Sequence, residues 1–322
     1  MASSRILDRS EGGVSSGDRP RLCVAISGAS GLVGSALASH LTASGHRVVR
    51  LVRREPRAER DEIGFDPAQG RIEAEKLKAV DAIVHLAGEN VAAGRWNERR
   101  KRLIRDSRVL GTRLIAETVA ALDRRPPTLI NASAIGFYGD RTDETLDEES
   151  GPGTGFLPET CIAWEAATAA AELAGLRVVK LRTGVVLSKA GGALGRMLTP
   201  FRMGLGGRIG DGRQWVSWIS VRDLIRVIEF ALSCEALRGP VNAVGPEPVD
   251  NAELTRALSR VLRRPALAPL PAWVVRRLFG QMGEELLLSS TRVFPRRLER
   301  SGFRFDHPTI ESTLRFELGR GE

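Results

Sequence analysis

The feature that most constrains this chain is a glycine-spaced turn, Gly28-Ala29-Ser30-Gly31-Leu32-Val33-Gly34, set between two patterned segments. Residues 22–27 form a short apolar run that reads as a buried parallel strand. Leu32, Val33, Ala36, Leu37 and Leu41 then recur at helical spacing, Gly45 closes that helix, and 47–52 reads as a second strand. In a strand–turn–helix of this kind Gly28 permits the tight turn. Gly31 lets the backbone come close to a pyrophosphate, and Gly34 lets the helix pack on the strand. The helix N-terminus adds unpaired N–H groups and a partial positive charge for phosphate oxygens. Glycine spacing alone is weak evidence; in this context it specifies a phosphate-binding loop.

Further buried strands are expected at 82–86, 128–132 and 177–181. A long helix is expected over about 97–122 and another over 158–173. Strands alternating with helices imply an α/β fold with a doubly wound parallel sheet of Rossmann type. After about residue 184 the pattern changes. Residues 191–212 read as a glycine-rich loop, and Ser220 to Asp223 and Asp250 to Glu253 read as helix starts. The expected division is a disordered tail at 1–20, a cofactor domain at 21–184 and a smaller, mainly helical substrate domain at 185–322, with segments crossing between the two.

The 322 residues are 42% hydrophobic and 27% charged, ordinary for a soluble globular protein. No run approaches the ~18 apolar residues of a membrane helix, so no membrane partner is expected. The first 20 residues carry Asp8, Glu11 and Asp18 and lack an apolar core, which fits neither a signal nor a transit peptide. The net charge of +9 invites a nucleic-acid reading. However, five lysines among 48 basic residues show a general preference for arginine spread along the chain, and no binding motif accompanies it, so no nucleic-acid partner is expected. Cys23, Cys161 and Cys234 stand far apart. They suggest no metal site and no disulfide framework, and they fit a reducing cytoplasm.

The end of the second strand bears on the choice of dinucleotide. An NAD site usually places Asp or Glu about 20 residues past the loop, to accept from the ribose 2′-OH. Here Val52 takes that place, and Arg53 and Arg54 follow. Guanidinium forks match a 2′-phosphate, so NADP(H) is the expected cofactor; two solvated arginines are the plain alternative.

Several further segments together carry a resemblance: the glycine turn, His85-Leu86-Ala87-Gly88, Ser133-Ala-Ile-Gly-Phe-Tyr138-Gly139, Leu181-Arg-Thr183-Gly184-Val185-Val-Leu187 and Gln214-Trp-Val-Ser-Trp-Ile219. With a C-terminal segment over 271–314 that contains Glu284 to Ser289 and Arg292 to Leu298, the chain resembles the epimerase family protein branch of the extended short-chain dehydrogenases/reductases. The resemblance spans nearly everything after residue 20. It implies an NADP(H) site with Leu86, Ala87 and Gly88 toward the adenosine side and Thr183, Gly184 and Val185 near the nicotinamide. It also implies oxidoreductase or epimerase-like chemistry on a small molecule.

Members of that superfamily use a Ser, a Tyr and a Lys, with the Tyr as acid/base. This chain departs at all three. Ala134 stands at the Ser position with Ser133 beside it, and Cys161 and Glu165 stand where Tyr and Lys are expected. A thiol beside a carboxylate has its pKa raised, which makes Cys161 a poor acid/base. Ser133 and Tyr138, the chain's single tyrosine, are the remaining catalytic candidates. In ordinary extended members the matching Tyr is largely structural. On the long helix, Leu103, Leu110 and Leu114 suggest the apolar stripe, with Ser107 on it and Arg108 beside Ile104, Gly111 and Ile115. Arg108 could meet the cofactor ribose, an anionic substrate, or a buried carboxylate such as Glu165. The loop holding Arg208, Arg213 and Trp215 could close over an acidic substrate or be a solvated surface. Two functions remain open: an NADP(H)-dependent enzyme, or a catalytically silent NADP(H)-binding protein that reports cofactor state to a partner.

Overall fold

The computed structural model describes residues 21–57 and 59–320. The expected tail at 1–20 lies outside the described residues. Eight strands form the central sheet: β1 (Cys23–Ser27), β2 (Arg47–Val52), β3 (Glu62–Asp66), β4 (Arg71–Ile72), β5 (Ala82–His85), β6 (Thr128–Ala134), β7 (Arg177–Thr183) and β8 (Gly239–Ala243). Their order is β8-β7-β6-β5-β1-β2-β3-β4. All neighbours are parallel except the β3–β4 hairpin. The chain winds outward in one direction from β1 through β2 and in the other from β5, so the order reverses between β1 and β5. In open α/β sheets that reversal leaves a crevice at the carboxyl ends of the strands.

Side chains alternate along β1 and build two cores. Val24 and Ile26 face helices α1 (Leu32–Ala43) and Val221–Ser233, meeting Leu37, Leu41, Val227 and Ile228. Ala25 faces the other way, toward α2 (Glu98–Ala121), with Ile115, Ala116 and Val119. Each fully buried Leu or Ile contributes about 1.5–3 kcal/mol, which makes this three-layer sandwich the main source of stability. A third cluster, around Trp218, gathers Leu194, Leu198, Phe201, Leu254, Leu258 and Leu314 from three helices of the C-terminal half. Helix Val221–Ser233 and β8 return to the central sheet, so the C-terminal half contributes to both units.

Three expectations change. The stretch 191–212 contains a helix, Gly192–Arg202, whose Leu194, Leu198 and Phe201 recur at helical spacing and are buried; its glycines masked that pattern. The helix expected over 158–173 is α3 (Phe156–Ala166) followed by a separate Ala169–Leu173. On α2 the buried side is Ile104, Gly111, Ile115 and Val119, whereas Leu103 and Leu110 face outward. Small residues decide which face is used: at Gly111 an added Cβ would come within 3.2 Å of the His85 ring.

Among the described residues no helix is long and apolar enough to cross a membrane.

Candidate cofactor site

The glycine turn lies at the carboxyl end of β1, directly over the reversal point. Gly28 has φ +70°, and an added Cβ would stand 2.9 Å from Ala87 N and from Leu86 C. The turn is thus pressed onto the chain leaving β5. Gly34 is fixed more strictly: a Cβ there would lie 2.2 Å from Gly28 O. Gly31 differs from both. Its φ of −77° is ordinary, it is exposed, and a Cβ would meet only Gly28 O, at 3.3 Å. The folded chain therefore makes a weaker demand for glycine at 31 than at 28 or 34. Gly31 is the N-cap of α1, with no side-chain cap and no acidic residue in the first turn. No side-chain cap or first-turn carboxylate neutralises the helix's leading N–H groups, as an anion site requires. Ser30 is exposed at the tip, Ala29 and Val33 pack on the core beneath, and Leu32 lies beside the Gly191–Gly192 turn, where an added Cβ would come within 3.8 and 3.4 Å of it.

A buried pair holds the floor of the loop. Ser27 Oγ accepts from Leu86 N (3.1 Å) and Ala87 N (3.2 Å) and lies 2.5 Å from His85 Nδ1. With two N–H groups donating to it, the hydroxyl gives its own proton to Nδ1, which places the imidazole proton on Nε2. Burial pushes the His85 pKa down to about 4, so the ring is neutral at physiological pH. Nothing in the sequence pattern singled out this Ser–His pair, because Ser27 and His85 look like ordinary strand ends.

At the end of β2 the two arginines separate in role. Arg54 donates to Glu62 Oε1 and to Glu55 O. Arg53 is exposed and makes no hydrogen bond or ion pair among the described residues. The Glu62 carboxylate also accepts from Arg57 N at 2.9 Å, and its pKa falls to about 2, chiefly through the Arg54 hydrogen bond.

On the other side of the crevice Gly88 abuts Arg108, 3.3 Å from an added Cβ to Cζ. Ser107 accepts from Glu89 N at 3.0 Å. Thr183 donates to Leu181 O, and Gly184 is wedged so that a Cβ would lie 2.6 Å from Ser217 O. Val185 pairs with Trp218 in a short parallel ladder. Gly88, Thr183, Gly184 and Val185 lie at the carboxyl edge of the sheet or on the segments leaving it, and Ser107 and Arg108 face that edge's β5 exit from within α2.

The catalytic candidates are sealed. Ser133 is buried and donates to Glu165 Oε1 at 2.7 Å. Glu165 in turn is held bidentately by Arg182, at 2.8 and 2.9 Å, so its partner is Arg182 and not Arg108. Tyr138 is fully buried. Its hydroxyl contacts Asp147 O and Asn242 Oδ1 at 2.8 Å and accepts from Arg182 Nη1 at 3.1 Å. Burial pushes its pKa up to about 12. With its hydrogen-bonding capacity used inside the protein, Tyr138 offers no proton to a ligand in this conformation. Cys161 is likewise buried, its pKa raised to about 12 by burial and then by Glu165. The loop at 206–215 is pinned by Gln214, which donates to Ile209 O and Leu287 O, with Arg208 and Arg213 exposed on it. Among the described residues no cluster of three or more His, Cys, Asp or Glu is placed to hold a metal.

Residues 24–245 match the model of the NAD dependent epimerase/dehydratase family. The chain belongs to that family. A second match, over 270–317, is to a domain of unknown function, DUF1731. This epimerase/dehydratase-family chain is 48% identical to an epimerase family protein of Mycobacterium bovis over 297 residues, covering 92% of this chain and 98% of the relative. Among solved structures it resembles human epimerase family protein SDR39U1, crystallised with NADPH, at 32% identity and TM-score 0.83, covering 92% of this chain and 99% of that one. It also resembles a nucleoside-diphosphate sugar epimerase of Corynebacterium glutamicum at 42% identity and TM-score 0.78, covering 93% of this chain and 59% of that one.

The DUF1731 segment is bound into the family domain. Glu285 accepts from Leu157 N at 2.8 Å and Phe156 N at 3.3 Å, and so caps α3, whose own N-cap is Gly155. Arg292–Val293 pairs with Thr145–Leu146, and Val293 N donates to Ser217 Oγ.

Proposed function

We propose that this protein binds NADP(H) in the crevice between β1 and β5 and acts on a small molecule as an oxidoreductase or epimerase-like enzyme. The observation that carries the reading is the glycine turn, with its exposed Gly31, beneath the uncapped N-terminus of α1. A pyrophosphate there meets N–H groups that nothing else satisfies. Arg53, exposed and without a partner among the described residues, suits a 2′-phosphate, which favours NADP(H) over NAD. The NADPH found with the human relative agrees with that preference. When bound, the nicotinamide supplies the hydride chemistry, and the protein supplies binding and orientation. Three dispersed free thiols suit a reducing, cytoplasmic setting.

The second reading, a catalytically silent NADP(H)-binding protein, draws support from one observation. The positions nearest to a Ser-Tyr-Lys set, namely Ser133, Cys161 and Glu165, are engaged or buried.

The test of cofactor choice is calorimetric titration of NADPH and NADH into wild-type and Arg53→Glu protein. The variant should weaken NADPH by about 1.5–3 kcal/mol, the scale of a hydrogen bond to a charged group, and leave NADH nearly unchanged. Equal losses would place 2′-phosphate recognition elsewhere.

A further inference from the structure

Away from the crevice, one end of the C-terminal half carries bare cations and apolar side chains together. Helix Gly192–Arg202 starts where the Gly191–Gly192 turn meets Leu32 of the glycine turn. At about 1.5 Å per residue it runs roughly 15 Å to its other end, at Arg202. There residues 204–210 run beside 265–271, the segment that follows helix Asn251–Leu262. Leu205 bridges to Ala266 and Ile209 to Leu270, while Ala268 N donates to Gly206 O at 3.0 Å and Leu270 N to Arg208 O at 2.8 Å. The two runs are pressed together, since an added Cβ at Gly207 would lie 2.0 Å from Ala268 O. At this pinned ribbon three large apolar side chains stand in solvent: Met203, Leu205 and Leu267, at 67%, 59% and 84% exposed. Beside them Arg202, Arg263 and Arg264, with Leu262, Leu318 and Arg320, line a hollow of about 560 Å³.

The charge here is of one sign and unmatched. Further back on helix Asn251–Leu262, Arg256 pairs with Glu253, and Arg260 with Glu253 and Glu311. Arg202, Arg263 and Arg264 are exposed and make no ion pair among the described residues. The sequence supplies the reason: no Asp or Glu occurs from 173 to 210 or from 254 to 283, the two runs that meet in the ribbon. Helix dipoles favour cations at these helix ends, but they do not account for a methionine and two leucines beside them. Single exposed apolar residues are ordinary; three around one basic hollow mark a contact surface.

We propose that this patch docks on an anionic lipid bilayer, with Arg202, Arg263 and Arg264 against headgroup phosphates and Met203, Leu205 and Leu267 at the headgroup–acyl boundary. Apolar side chains that project from a basic surface match that boundary. A second copy meeting the patch about a two-fold axis would set the same arginines against one another. A nucleic acid would use the arginines and leave the aliphatic side chains in water. Contact at headgroup depth needs no spanning helix, so the expectation of no membrane partner is reversed for the surface alone. The proposal does not depend on the cofactor reading.

Cosedimentation of the full chain with vesicles tests this, using phosphatidylcholine alone and an equal mixture of phosphatidylcholine and phosphatidylglycerol. Wild type should partition onto the mixed vesicles at least about tenfold more strongly than onto the neutral ones, and about 1 M salt should weaken that binding. The triple variant Arg202→Gln/Arg263→Gln/Arg264→Gln should fall to the neutral level. Leu205→Ser/Leu267→Ser should lose at least about tenfold while keeping every charge. Both variants should keep the wild-type thermal midpoint, because the altered side chains are exposed. Equal partition onto the two kinds of vesicle, or leucine substitutions without effect, would overturn the proposal. So would tighter binding to a mixed-sequence DNA duplex than to the mixed vesicles, which would make the patch a nucleic-acid contact. A dimer in light scattering that Leu205→Ser/Leu267→Ser dissociates would also overturn it, by assigning the patch to a second copy.

Discussion

Three glycines in one turn carry different burdens, and substitutions separate them. Gly34→Ala puts a methyl 2.2 Å from Gly28 O, a backbone atom that cannot rotate away. The expected cost is about 1–3 kcal/mol or more, read as a lower urea midpoint. Gly31→Asp meets little of the chain besides Gly28 O and should fold with a near-native midpoint, yet its carboxylate would stand where the proposed site takes phosphate oxygens. Equal stability losses at 31 and 34 would remove the distinction. Cys161→Ala, by contrast, deletes a buried thiol packed with Phe137, Tyr138 and Val293, whose hydrogen bond among the described residues is the long one to Ala134 O, at 3.8 Å. It should leave cofactor affinity unchanged; a large loss would show that the thiol works at the site. The glycine turn was legible because its residue types answer to local geometry. Ser27 with His85, and Arg54 with Glu62, were not, because each pairing depends on which strands lie side by side.

At the scale of elements, α3 is held at both ends by distant parts of the chain. Glu285 supplies its N-terminal cap, so Glu285→Ala should cost about 0.5–2 kcal/mol in a denaturant titration; no change would mean that water replaces the cap fully. Further along, the Glu165–Arg182 pair is buried on both sides, with 10% and 5% of the side chains exposed. Arg182→Met leaves Glu165 charged and unpaired, which should cost about 3–5 kcal/mol. The double variant Arg182→Met/Glu165→Leu should recover part of that loss, and a fully additive loss would deny the coupling. Strands β1, β2 and β5 and helices α1 and α2 were readable from apolar periodicity. The helix Gly192–Arg202 was hidden by glycines at its start, and the outward turn of Leu103 and Leu110 depended on where small residues let α2 approach the sheet. The C-terminal segment's contribution to α3 was unreadable, since 128 residues separate Glu285 from Leu157.

For the molecule as a whole, acid stability follows from opposed carboxylates. Glu62 has a folded-state pKa of about 2 against an ordinary 4.5. Its contribution is complete above the ordinary value and disappears as pH falls from about 4.5 toward 2. Glu148 and Glu317 run the other way. Burial raises their pKa values, so protonation favours the fold as pH drops through their folded values, which makes the acid limb shallower. Glu62→Gln should flatten the fall in stability between pH 4.5 and 2; an unchanged slope would show that Arg54 does little for the folded state. The central claim is the backbone cradle at the β1–β5 reversal. Its most direct test is calorimetric titration of NADPH into wild-type and Gly31→Asp protein of matched thermal stability. The expected result is saturable binding to wild type and none detectable for the variant. Equal affinity in the two proteins, or no heat from wild type at millimolar NADPH, would contradict it.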